Sequence, residues 1–368
     1  MVDKNYRFGY VDTMRGIAIF LVVLVHTSQF YLLGNELSIF AKYGQLGVQL
    51  FFVASAYTLC FSMPFYDRKA FNLKHFYIKR YFRIAPLYYI GIGIYFFISY
   101  VLYIIKGINN FEYYNVKGFL SNIFLVHSFF PKYNNSIVPG GWSIATEVLF
   151  YLIFPFLFYF IKNYSVKKTV YIIIIYTLLH LLVLSCAKEF FNFGKIENNS
   201  FYYYSIINQF PVFLFGMVMF KIIKNENIKL VTFFILPLLC TLIILLLWYY
   251  NPFFAFVLIP VFAGVVFLSL GVLLSVVNMR FKLIENFGKL SYSIYIYHFI
   301  FSWYLIVLID GKISFLRINI YILYMMYLLI SLGFSFLIGF FSEKYIEQYF
   351  VKFGKEIINN SIKNKIGR

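Results

Sequence analysis

Charge is what this chain has least of. Asp and Glu together number only 14 in 368 residues, and charged residues of both signs make up 12% of it. Hydrophobic residues make up 62%, and the mean hydropathy is +0.79. A soluble domain carries about 25% charged residues, so an ordinary soluble fold is excluded. Cysteine is equally scarce. Cys60, Cys186 and Cys240 lie in or at the edge of apolar stretches without paired spacing, which gives neither a disulfide framework nor a zinc site, and no metal is expected. No cleavable leader is expected: Asp3 and Asp12 interrupt the basic N-terminus, and no small-x-small site follows the first apolar run. That run is expected to stay as a transmembrane helix. Fixed-period repeats and low-complexity tracts are absent.

What the chain does have is apolar length. Ten stretches are long enough to cross a hydrocarbon core of ~30 Å, at 14–33, 44–63, 84–105, 142–161, 168–187, 204–223, 231–250, 254–277, 291–309 and 318–341. These predict an all-α polytopic membrane protein with about ten transmembrane helices in one bundle. The long connection at 106–141 contains 119–130, too short to span and suited to the interface or to re-entry. With the N-terminus inside, roughly three quarters of the 32 Lys and Arg residues fall on cytoplasmic segments, so both termini are expected in the cytoplasm. The net charge of +18 is then a set of topology signals in short loops, and no nucleic-acid partner is needed to explain it. The aromatic share of 24% exceeds what interfacial belts require and receives no function.

Three clusters of polar residues stand out against this background. Arg15 and His26 are eleven residues apart on the first span, which returns them to within ~20° on one helix face, ~16 Å apart. An ionisable group at membrane depth is costly and normally faces a protein interior or a wet cavity, although a packing histidine would look the same. Arg80 and Arg83 stand three apart at the expected start of the third span. Forked guanidinium donors beside a helix N-terminus suit phosphate groups, and flanking topology signals are the plainer alternative. Glu147 is the only carboxylate deep in an expected span, and Ser143 and Tyr151 lie four residues to either side on the same face. Its depth matches that of His26, so a base and its orienting carboxylate, or a structural ion pair, would follow. A weaker candidate is His298, three residues after Tyr295, which would line a channel or simply pack. His75, His127 and His180 receive no role.

Taken in order, these residues carry a resemblance. Arg15-Gly16 with His26, Leu50-Phe51-Phe52-Val53 with Ser55, Arg80-x-x-Arg83-Ile84-x-Pro86, Trp142-Ser143 with Glu147 and Phe150-Tyr151, Gly288 to Ser291-Tyr292-Ser293 with His298, and Ser342-Glu343-Lys344 together resemble the membrane-bound acyltransferase-3 family, O-antigen acetylase-like O-acyltransferases. The match runs from about residue 9 to 350. Ser55-Ala56 stands where the family usually has Ser-Gly.

The resemblance implies an integral membrane acyltransferase domain over 1–350, a short basic cytoplasmic tail over 351–368, and a place in a bacterial cytoplasmic membrane. It implies acyl transfer, commonly acetyl, from cytoplasmic acyl-CoA to a hydroxyl of a cell-envelope or exported carbohydrate, with acetyl-CoA as a donor substrate and no tightly bound cofactor. Arg80 and Arg83 would hold the CoA phosphates, and Arg15 the donor or the channel mouth. His26 would be general base or transient acyl acceptor, with Glu147 orienting it and Ser143, Tyr151 and His298 in the binding site. Direct transfer and an acyl-histidine intermediate both remain open. The C-terminal esterase-like domain of some members is not in this sequence, so the bundle is expected to transfer the group alone or hand it to a separate extracytoplasmic acyl-carrying protein. A transporter or flippase of an envelope precursor is the alternative, though it would more often show two related halves.

Overall fold

The computed structural model describes residues 9–29, 41–63, 72–108, 111–191, 200–225, 230–250, 254–277, 281–306 and 319–366. Among these residues there is no strand, and nine helices are long and apolar enough to cross a membrane. The protein is therefore a multi-pass all-α membrane protein, as hydropathy demands: without water in hydrocarbon, each backbone group must be paired within its own helix.

In chain order the helices are α1 (Gly9–Ser28), α2 (Gly47–Ser62), α3 (Leu73–Lys106), α4 (Val116–Ile123) and α5 (Gly141–Ile161). Next come α6 (Val166–Phe191), α7 (Ser200–Tyr204), α8 (Ile206–Asn225), α9 (Leu230–Tyr250) and α10 (Ala255–Val277). The last are α11 (Lys282–Lys289), α12 (Ser291–Phe299), α13 (Ile320–Ser342) and α14 (Gln348–Ile366). Six-residue and five-residue π segments, Ile300–Leu305 and Glu343–Glu347, extend α12 and join α13 to α14.

The chain divides into two compact units. The first is built from Met1–Ala18, Leu46–Ala70 and Ile153–Gly288, and in it α8 packs on α2, α6 and α10 while α9 packs on α10. Lipid gives helices no hydrophobic reason to associate, so close approach through small residues has to do it. A Cβ on Gly216 would collide with the Val53 carbonyl oxygen of α2, and one on Gly288 with the Asp12 carbonyl oxygen of α1. Buried polar side chains here are tied to one another: Gln49 donates to Gln209 Oε1 and to Tyr203 Oη, both at 3.1 Å.

The second unit comprises Ile19–Gln45, Phe71–Leu152 and Lys289–Arg368, with α3 against α12 and α14, and α12 against α13. Tyrosine hydroxyls bind these helices through backbone carbonyls. Tyr95 donates to Ile296 O and Tyr292 to Ile84 O, each at 2.7 Å. Gly91 leaves room for Ile296, whose Cγ2 would lie 3.1 Å from an added Cβ.

The observed helices depart from hydropathy at three places. α3 begins at Leu73, eleven residues before the apolar run, because Asn72 caps it by accepting from Lys74 N and His75 N at 3.0 and 3.4 Å. The helix from Ser291 reaches Ile306 and is too short there to count as a span; the remainder of the expected 291–309 segment lies outside the described residues. Residues expected to form a tail from 351 continue the last helix, which closes on α3 through Gly354 against Phe82 and through His75 Nε2, 3.0 Å from Ser361 Oγ. The 119–130 stretch becomes the end of α4 and a 3-10 turn at His127–Phe129.

Candidate active site

Two histidines meet in the second unit. His26 sits in the last turn of α1, with its ring centroid 5.3 Å from that of His298 on α12 and 4.2 Å from that of Phe299. Its Nδ1 lies 3.4 Å from Gln29 Oε1. His298 is fully buried, and its Nδ1 is 2.7 Å from the Tyr295 carbonyl. A carbonyl only accepts, so Nδ1 carries the proton and Nε2 is left as a lone pair. That Nε2 is buried and has no hydrogen-bond partner among the described residues. Leaving a buried acceptor unmet costs about 1–3 kcal/mol, the kind of expense found where a proton or a ligand is to arrive.

The same helix turn is anchored from below. Tyr295 Oη donates to the Gly140 carbonyl at 3.0 Å and lies 2.7 Å from Ser143 Oγ, which itself bonds Gly140 O at 3.0 Å. Gly140 has φ +77°, and a Cβ there would stand 2.9 Å from Tyr295 Oη, so both backbone and space require glycine. Beside it, His127 Nε2 donates to the Gly141 carbonyl at 3.0 Å and lies 3.2 Å from Tyr88 Oη, which donates to Asn122 Oδ1 at 2.7 Å. Burial pushes the His127 imidazole down to about 4, so it is neutral in the folded protein.

Glu147 and the arginines form a separate group. Tyr151 Oη donates to Glu147 Oε1 at 2.5 Å, one turn along α5. The Arg80 guanidinium stands 5.5 Å from the Tyr151 ring and 5.6 Å from the Phe76 ring, within cation–π range. Arg80 and Arg83 both act electrostatically on the Tyr151 hydroxyl, and Arg83 also acts on Glu347, which accepts from Ser293 Oγ. Arg15 belongs to the first unit, where it donates to Thr58 Oγ1 at 3.3 Å and pairs with Asp12 at 4.0 Å.

The structure thus brings His26 to His298, and Glu147 to Tyr151 with Arg80. Among the described residues Glu147 is not a hydrogen-bond partner of His26. Equal depth on two helices does not decide which faces meet. Nor do Arg80 and Arg83 stand at a helix start, since α3 begins seven residues before Arg80; the helix dipole is spent within the first turn and lends them nothing. Sequence reasoning passed over Gly140, the Tyr88–Asn122–His127 cluster and the Ser293–Glu347 pair. The first could have been suspected from Pro139-Gly140-Gly141, a turn signal directly before a helix.

A multi-pass helical protein that sets a half-buried His26 beside a buried His298, and Arg80 against Tyr151, has the residue types for proton transfer and for binding an anionic group. The family model described as an acyltransferase domain matches residues 8–342, and the chain belongs to that acyltransferase-3 family. A Staphylococcus aureus (strain COL) protein provisionally named an O-acetyltransferase is 25% identical over 414 residues, covering 97% of this chain and 60% of its own length. A Listeria monocytogenes (serovar 1/2a) protein named peptidoglycan O-acetyltransferase is 29% identical over 163 residues, 41% of this chain and 24% of that protein. An uncharacterised Haemophilus influenzae protein is 27% identical over 180 residues, 47% of this chain and 73% of its own. The chain therefore spans about 60% of the length of the staphylococcal relatives. No solved structure matches it.

Proposed function

We propose that the protein is an O-acetyltransferase of a bacterial cytoplasmic membrane, moving acetyl from cytoplasmic acetyl-CoA to a hydroxyl of a cell-envelope or exported carbohydrate. The observation that carries this reading is the buried, unpartnered Nε2 of His298 beside His26. His26 takes the proton of the acceptor hydroxyl as its oxygen attacks the thioester carbonyl. An ester C–O bond forms, the C–S bond breaks, and the proton passes on to the departing thiolate to give free CoA. While His26 is charged, His298 Nε2 is the acceptor at hand for its N–H. Arg80 and Arg83 meet the CoA phosphates, and the Glu147–Tyr151 pair holds Arg80 in place. Ser143 secures the Tyr295 turn that sets the His298 tautomer. The names of the staphylococcal and listerial relatives support the same reaction class.

Purified protein given radiolabelled acetyl-CoA and cell-wall glycan should transfer label and release CoA. His26→Ala should lower this by ~10²–10⁴-fold while acetyl-CoA binding persists. An absence of acetyl-CoA binding, with movement of a glycolipid between vesicle leaflets instead, would establish a flippase and overturn the reading. The basic-residue distribution supports cytoplasmic termini. A reporter at Asn359 should then read inside and one at Asn135 outside, and the reverse at either position would invert the direction of transfer.

A further inference from the structure

The segment between α3 and α5 lines an open cavity of about 240 Å³ in the second unit, bounded by the far end of α3 and by the π segment after α12. Its size suits a single sugar ring. Its walls are phenols, amides and hydroxyls. Tyr113, Tyr114 and Tyr304 line it, with Ser99 Oγ 3.0 Å from Tyr114 Oη. The single cation among the lining residues, Lys132, lies 3.7 Å from Glu112 and faces the Tyr113 ring at 6.0 Å, so its charge is already balanced.

Asn134 supplies the observation that points to a ligand. It lines the cavity, is only 6% exposed, and its Nδ2 is buried with no hydrogen-bond partner among the described residues. An amide donor left this way costs about 1–3 kcal/mol unless an incoming oxygen meets it. Its neighbour Asn135 does have a partner: Oδ1 accepts from Gly140 N at 2.8 Å. Gly140 in turn accepts from Tyr295 Oη, and the Tyr295 carbonyl accepts from His298 Nδ1. One cavity wall is thereby bonded, link by link, to the imidazole pair. The other wall, Tyr304, follows His298 by six residues on one helix, roughly 9 Å along its axis.

We propose that this cavity is the acceptor subsite, seating a single uncharged sugar ring whose free hydroxyl extends toward His26. The inference rests on the acyl-transfer reading. Aromatic faces cover the C–H surface of the ring, and Asn134 Nδ2 donates to a ring or hydroxyl oxygen. A phosphate or carboxylate ligand would need an unbalanced cation, and Lys132 with Glu112 does not supply one.

Saturation-transfer NMR on the full chain in nanodiscs tests it, using methyl glycosides of glucose, galactose, mannose and N-acetylglucosamine with glycerol as the control. At least one glycoside, and not glycerol, should receive saturation, and Asn134→Ala and Tyr304→Ala should each weaken that binding by about fivefold or more with acetyl-CoA affinity unchanged. If Tyr304→Ala does not fold, Tyr113→Ala at the rim should give the same loss. Silence from all four glycosides, or binding that survives these variants, overturns the subsite. Silence with intact acetyl-CoA turnover overturns the subsite alone. Glycoside binding lost in the variants, from a protein that does not bind acetyl-CoA, upholds the subsite and sinks the acyl-transfer reading.

Discussion

The two units are built from the same apolar residues and differ in where they spend irregularity. The first packs long helices through glycines, ties Gln49 to Gln209 and Tyr203, and contains one histidine, His180. The second contains His26, His75, His127 and His298. Among the described residues it also contains every residue with φ clearly positive, Gly107, Leu125 and Gly140, and both π segments. Local strain and titratable side chains are costly in a membrane and persist only where something else over-determines them. Among the described residues the positive-φ positions, the π segments and four of the five histidines fall in the second unit, while the Arg15–Asp12 pair and His180 sit in the first.

The sharpest way to break that comparison is to remove the histidines. His26→Ala and His298→Ala should each reduce acetyl transfer by ~10²–10⁴-fold, and the double variant should lose little more, because residues acting as a unit are not additive. His180→Ala, in the first unit, should transfer at the parental rate. Losses that multiply in the double variant would dissolve the pair. A smaller effect is expected of the cations: Arg80→Ala or Arg83→Ala should weaken acetyl-CoA by ~1.5–3 kcal/mol in calorimetry, the value of a charge-assisted hydrogen bond. Unchanged affinity in both would leave them as topology signals.

The smallest effect at neutral pH concerns His127. Its imidazole is held down to about 4 by burial, against an ordinary value of 6.5, so the folded state favours the neutral ring. The stability this gives is complete above pH 6.5 and is lost as pH falls from there toward 4. Acid titration followed by tryptophan fluorescence should show this loss in the parent and a shallower one in His127→Gln. Equal slopes would place the acid sensitivity elsewhere.

Much of this was legible from the sequence. Apolar length located nine of the helices, since burial in lipid selects on little else. It missed the first three turns of α3 and all of α14, where Lys74, Lys79, Glu343 and Lys344 make the chain polar and helix formation rests on the Asn72 cap and on packing between the two helices. Individual candidate residues could be picked out because ionisable groups in apolar runs are conspicuous. Their pairing could not: His26 meets His298 across more than 270 residues, and helix rotation about its own axis leaves no trace in hydropathy.

The π segment Ile300–Leu305 sets a register. A π turn carries one more residue than an α turn, so everything after it is rotated about the helix axis relative to an uninterrupted α-helix. Tyr304 owes its place at the cavity to that extra residue, while His298, before the segment, does not. Were the same residues to close into an uninterrupted α-helix, Tyr304 would turn by ~100° without moving the imidazole. The wide turn thus works as a vernier between two positions on one rod, setting the angle of Tyr304 at the cavity independently of that of His298.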